Sequence, residues 1–144
     1  MTDTAHNAAH LGWLLDNLVT QIPEVRYAIV TSSDGLLIAK SQDLPTNDAE
    51  HTSAVVSGMS SLARGFSGRF RYGPVAHSVI HMAEAVLFIT DAGSGARLAA
   101  LASKDVDLSI LAFEAVTLVN QVGHQHLTAA PRAQISSGGL VQDA

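Results

Sequence analysis

Few side chains in this sequence could make or break bonds, and their spacing decides against most chemistries. There are seven histidines and no cysteine. His77 and His81 fall on one face of a predicted strand, and "HQH" at 124–126 resembles a metal-ligand pair. No thiolate or clustered carboxylate completes a coordination shell around either, so both are read as ordinary strand and helix-end residues and no metal is assigned. His51, near a predicted helix start, is read as surface. Asp105 and Asp107 precede another predicted helix, where capping explains a carboxylate better than acid–base work does. "GSGARL" at 93–98 lacks the third glycine of a dinucleotide fingerprint and lies between strands, whereas that motif must open a helix. "GFSGR" at 65–69 has Arg69 where a nucleophile elbow needs glycine. GxxxxGK[ST] and HExxH are both absent. No catalytic residue and no cofactor is therefore assigned. Arg64, Arg69 and Arg71 cluster near one helix end, where they could meet an acidic partner or a phosphate.

The chain that must position these residues has 144 residues, 47% of them hydrophobic and 15% charged. That suits one domain with a core large enough to need no staples. A net charge of −5 with only eight Lys plus Arg disfavours nucleic acid, whose backbone calls for a basic surface. No apolar run approaches the roughly 20 residues of a membrane span. "MTDTAHNAAH" lacks the basic and apolar regions of a signal peptide. The expectation is a soluble, cytoplasmic protein with no direct membrane insertion.

Residues 1–10 read as a flexible start. Leu11, Leu14, Leu15, Leu18 and Ile22 then recur at helical spacing until Pro23. Val25–Thr31, "SSDG" and Leu36–Lys40 read as a hairpin whose first strand is covered on both faces. Asn47, with Glu50 three residues on, predicts a capping box, and Gly68 predicts the helix end. Val75–Met82, Ala85–Thr90 and Arg97–Ala102 read as three further strands. Leu108, Leu111, Ala112, Ala115, Leu118, Val119 and Val122 mark a last helix, ending near Gly123. Residues 128–144 read as a disordered tail. The order α-β-β-α-β-β-β-α, with short connections, predicts an α+β domain built on an antiparallel sheet.

The helix over 47–67 poses a problem of its own. Val55, Met59, Leu62 and Phe66 form a bulky stripe expected to pack on the sheet. Ser53, Ser57, Ser60 and Arg64 form a polar stripe expected to face solvent. Ala54, Gly58, Ser61 and Gly65 form a third stripe with almost no side chain, although interior glycine costs a helix about 1 kcal/mol relative to alanine. Such a stripe lets another backbone approach closely, either within this chain or from a second molecule.

"LGWLLDNLVTQIPEVRYAIVTSSDGLLIAKS", "AVVSGMSSLARGF" and "LAALASKDVDLSILAFEAVTLVNQVG" together resemble the Roadblock family, the Roadblock-type dynein light chains and their bacterial MglB-like relatives. The resemblance covers residues 11–127. "SSDGLLIA" and "SGMSSLARG" look particularly like actinobacterial members encoded in conservons. It implies a profilin-like, three-layer fold with five antiparallel strands in the order 2-1-5-4-3, one central helix on one face and the two terminal helices on the other. It also implies a homodimer through the central helix and third strand, which here means Ala54, Gly58, Ser61 and Gly65 with His77, Val79 and His81. The implied function is non-enzymatic: a regulator or scaffold for a small Ras-like GTPase. A plain assembly platform for a membrane histidine-kinase-like complex, which could recruit it to the membrane, is the alternative, and a ligand-sensing domain a further one. Arg64 and Arg69 are the candidates for GTPase contact, and no residue stands out as a catalytic arginine finger.

Overall fold

Each turn of the sheet is enforced by a particular backbone need. In the computed structural model, which describes residues 2–123 and the side chains from residue 8 onward, the chain runs α1 (Thr2–Gln21), β1 (Val25–Thr31), β2 (Leu37–Lys40), α2 (Thr46–Phe70), β3 (His77–His81), β4 (Ala85–Gly93), β5 (Ala96–Ser103) and α3 (Leu108–Gly123). Between β1 and β2, Gly35 takes φ +88° and its N–H donates to Ser32 O at 3.1 Å. Ser32 Oγ accepts from the Leu36 N–H at 3.0 Å. Such a φ strains any residue with a Cβ. Gly93, Ser94 and Gly95 all take positive φ in the β4–β5 turn.

The five strands form one antiparallel sheet in the order β2-β1-β5-β4-β3, as the family resemblance implies. β1 lies second from an edge and is mostly buried. Ala28 and Val30 join the core shared with α1 and α3, while Ile29 joins the smaller core facing α2. The apolar positions foreseen on the terminal helices enter the first core: Leu11, Leu14, Leu15, Leu18 and Ile22, then Leu111, Ala115, Leu118 and Val122. Asp16 ties α1 to the end of β2 by accepting from the Gln42 N–H at 2.7 Å.

The element ends differ in instructive ways. α1 begins at Thr2, nine residues before the apolar periodicity does. Asn47 and Glu50 form no capping box; Pro45 occupies the N-cap position with no side-chain bond. Its fixed φ already sets the chain direction into the helix. α2 runs through Gly68 and ends at Arg71, which takes the left-handed φ of 58° and returns its N–H to Ser67 O. Asp107 caps α3 as expected, with Oδ1 accepting from Ser109 N at 2.9 Å and Ile110 N at 3.2 Å. The "HQH" triplet and the expected tail lie outside the described residues.

α2 differs most from expectation. Its buried residues are Ala49, Ser53, Val56 and Ser60. The side of the helix expected to be wet is the side laid on the sheet. The bulky interlayer residues come from the strands instead, with Ile29, Leu87 and Ile89 buried and Tyr27, Leu37, Ile80 and Leu101 packed around them. Ser57 is half-buried, because its hydroxyl donates to Ser33 O at 3.2 Å in the β1–β2 turn.

Two substitutions test this packing in urea unfolding. Ser53 Oγ is a buried side-chain polar atom with no partner among the described residues, and an unpaired buried group costs roughly 1–3 kcal/mol. Ser53→Ala is therefore expected to stabilise the chain by about 1 kcal/mol, where a solvent-facing serine would change little. Asp107→Ala should destabilise it by about 1 kcal/mol through loss of the α3 cap.

Candidate functional site: an outward helix face beside an open strand edge

With Ala49, Ser53, Val56 and Ser60 turned inward, α2 presents large apolar residues to solvent. Val55 is 39% exposed, Met59 37%, Leu62 74% and Phe66 63%. They do not pack on the sheet. Both this ridge and the buried stripe repeat at i, i+4, i+7 and i+11, so spacing alone cannot choose between them. Ala54, Gly58, Ser61 and Gly65 are exposed beside the ridge. Among the described residues a Cβ built on Gly58 or Gly65 would meet nothing within 4 Å, so neither glycine serves packing against them. The outward face of α2 is thus a bulky ridge running alongside a shallow groove.

The C-terminal end of the helix extends the apolar surface. Phe66 and Phe70 have ring centroids 4.9 Å apart, Phe70 and Tyr72 are stacked at 6.3 Å, and all three are exposed. The Arg69 guanidinium lies 6.0 Å from the Phe70 ring centroid, within cation–π range. Arg64 folds back along its own helix, Nε donating to Ser60 O at 3.4 Å and Nη2 to Ser61 Oγ at 3.2 Å.

Among the described residues β3 is an edge strand, paired with β4 alone, and its outer row of backbone groups has no ladder partner there. Its register assigns its side chains to faces. Val79 lies opposite Phe88 and His81 opposite Val86, both on the α1–α3 side, whereas Ile80 lies opposite Leu87 on the α2 side. His77, Val79 and His81 are exposed, but they occupy the face of the sheet opposite α2. The seven expected interface residues therefore form two groups. The four on α2 share one surface, and the three on β3 adjoin it only through the strand's backbone edge. His77 is further fixed by Thr90, with Nδ1 and Oγ1 3.1 Å apart, and by a 5.0 Å ring contact with Phe88.

The sequence reading missed Val55, Met59, Leu62, Phe66, Phe70 and Tyr72 as surface residues. The one available signal was the run Phe66, Phe70 and Tyr72, too aromatic at its end to be covered by a short sheet. It also missed Arg97, which lines a cleft with Arg64. Among the described residues no group of three or more His, Asp or Glu could hold a metal, and no helix is long and apolar enough to cross a membrane. The geometry supports association with protein; no nucleophile and base converge on it.

Comparison with known proteins matches this architecture. The Roadblock/LC7 domain model matches residues 11–102. A Roadblock/LC7 domain from Streptomyces avermitilis is 35% identical, the alignment covering 81% of this chain and 97% of that one, with a TM-score of 0.77. Myxococcus xanthus MglB superposes with a TM-score of 0.73 at 13% identity, covering 81% and 94% of the two chains. An MglB with a tetrameric arrangement gives 0.71 at 12% identity, covering 82% and 88%. The last two are likenesses of fold. No curated protein gives a significant match.

The ridge and the buried stripe predict opposite responses to polar substitution. Leu62→Ser or Phe66→Ser should leave the unfolding free energy of the isolated chain within about 0.5 kcal/mol. Val56→Ser should cost several times more, because Val56 is fully buried. Denaturant titration at a concentration where the chain is monomeric reads both.

Proposed function

The chain belongs to the Roadblock/LC7 domain family, and on that premise we propose that it is a non-enzymatic, homodimeric regulator or scaffold that binds a small Ras-like GTPase. The observation that carries the proposal is the outward face of α2. A ridge of Val55, Met59, Leu62 and Phe66 beside a groove of Ala54, Gly58, Ser61 and Gly65 is self-complementary. Turned about a two-fold axis, the ridge of one helix lies against the groove of the other. An isologous interface requires that property. Burying Leu62 and Phe66 contributes up to about 2 kcal/mol each. The free edge of β3 adds its own pairing, joining two five-stranded sheets into one.

The GTPase part of the reading rests on the family and on the fold shared with MglB. Arg69, exposed at the end of the helix that the dimer brings together, is placed to meet an acidic patch on the partner, with Arg64 on the flank of the same helix. On this reading the protein acts by holding and repositioning the GTPase's own switch segments.

Light scattering over a dilution series tests the dimer. About twice the 15.0 kDa chain mass is expected at micromolar concentration. Gly58→Arg and Leu62→Asp should each shift the species to monomer while keeping the wild-type far-ultraviolet circular dichroism; a wild-type monomer throughout would overturn the reading. For the partner, Arg64→Ala combined with Arg69→Ala should lower the association rate with a GTPase captured from the native cell and flatten its salt dependence, with dimer mass unchanged. Unchanged rates across a salt titration would remove these arginines from the contact.

A further inference from the structure

Where β3 begins and β4 turns into β5, a cleft of about 260 Å³ opens between the sheet and the C-terminal half of α2. Arg97 and Arg64 both line it. Arg97 is the unusual one. It is 9% exposed, and a guanidinium so far removed from water needs its charge and its donors matched. Among the described residues all three of its side-chain hydrogen bonds leave from Nη1: to Gly95 O at 2.6 Å, Ala96 O at 3.0 Å and Asp91 Oδ1 at 3.3 Å. Two of those acceptors are neutral carbonyls. The third belongs to a carboxylate whose side chain is 63% exposed and which also accepts from Gly93 N. Nε and Nη2, the edge that normally grips two oxygens of one acid group, have no protein partner among the described residues. Neither is among the fully buried unpartnered atoms, so that edge keeps contact with solvent.

We infer that this cleft is a binding site for a small free oxyanion, a carboxylate or phosphate, gripped by the Nε–Nη2 edge of Arg97. Arg64 supplies a second positive charge from α2, and Ser78 lines the opposite wall as a hydroxyl donor. The charged side chains at the cleft are two arginines, Arg97 and Arg64, against Asp91. Its volume lies just below the roughly 300–1,000 Å³ of sites for drug-sized ligands, which suits a small acid and not a whole nucleotide. The carbonyls of Gly95 and Ala96 hold the guanidinium in place before the ligand arrives, so little side-chain freedom is lost on binding. The site needs neither a GTPase nor a second copy of the chain, and so stands or falls apart from the function proposed above.

The test is an NMR titration of the full chain, following the Arg97 Nε–H signal in the wild type and the backbone amides of Ser78 and Gly95 in every variant, with sodium phosphate in one arm and sodium malonate in the other, each against chloride at equal ionic strength. A saturable shift with either probe and none with chloride is expected. The stronger arm identifies the ligand as phosphate or carboxylate. Arg97→Lys keeps the charge and loses the two-pronged edge, and should weaken binding at least tenfold. Arg64→Ala, at an exposed position, should weaken it severalfold and keeps the test valid if Arg97→Lys fails to fold. A linear response matching chloride, or saturation unaltered in Arg64→Ala and in a folded Arg97→Lys, would overturn the inference.

Discussion

The structure depends on how closely α2 approaches the sheet. Only Ala49, Ser53, Val56 and Ser60 lie between the helix and strands that already carry Ile29, Leu87 and Ile89 into the interlayer space. Small residues on the helix and large ones on the sheet share that layer. The helix's own large residues have no room beneath it, so they must face outward. The exposed ridge, the groove beside it and the need for a partner surface all follow from that one choice of which side supplies the volume.

This arrangement separates stability from association. The core between the sheet and α1 and α3 contains most of the fully buried large side chains, among them Phe88, Leu15, Leu18, Leu98 and Leu111. It can hold the fold whether or not the α2 face is covered. On the proposed function, substitutions on the ridge then act on assembly, and substitutions beneath the helix act on folding. The β1–β2 turn adds a restraint, since Ser57 bonds to Ser33 and a Cβ on Gly35 would lie 3.3 Å from that of Ser57. This contact agrees with the rotation of α2 that the interlayer packing sets.

Much of the fold was legible because local signals agreed with one another. The heptad-like leucines of α1, the "SSDG" turn and the Asp107 cap each had one sensible reading, and the strand order followed from the family resemblance. The rotation of α2 was not legible. Two stripes with identical spacing competed, and the usual rule that bulky apolar residues go inside chose the wrong one. The rule failed because burial is decided by the space the opposing layer leaves, which a single segment does not encode. The same blindness divided the expected interface: alternation along β3 grouped His77, Val79 and His81 correctly, but only the register with β4 shows that they lie on the face away from α2. Arg97 was hidden for a similar reason, since the cleft it shares with Arg64 exists only once α2, distant in sequence, lies on the sheet.

The central claim is that two copies of α2 meet through the small-residue groove. The absence of native cysteine makes a single introduced thiol decisive. A disulfide requires Cα atoms about 4.4–6.8 Å apart, a distance two helices reach only where their backbones nearly touch. Gly58→Cys, Ser61→Cys and an exposed control, Gln42→Cys, would each be oxidised mildly and run on a non-reducing gel. The account predicts rapid covalent dimer from at least one position in the groove and none from the control. Monomer from both groove variants, or dimer forming equally fast from Gln42→Cys, would contradict it.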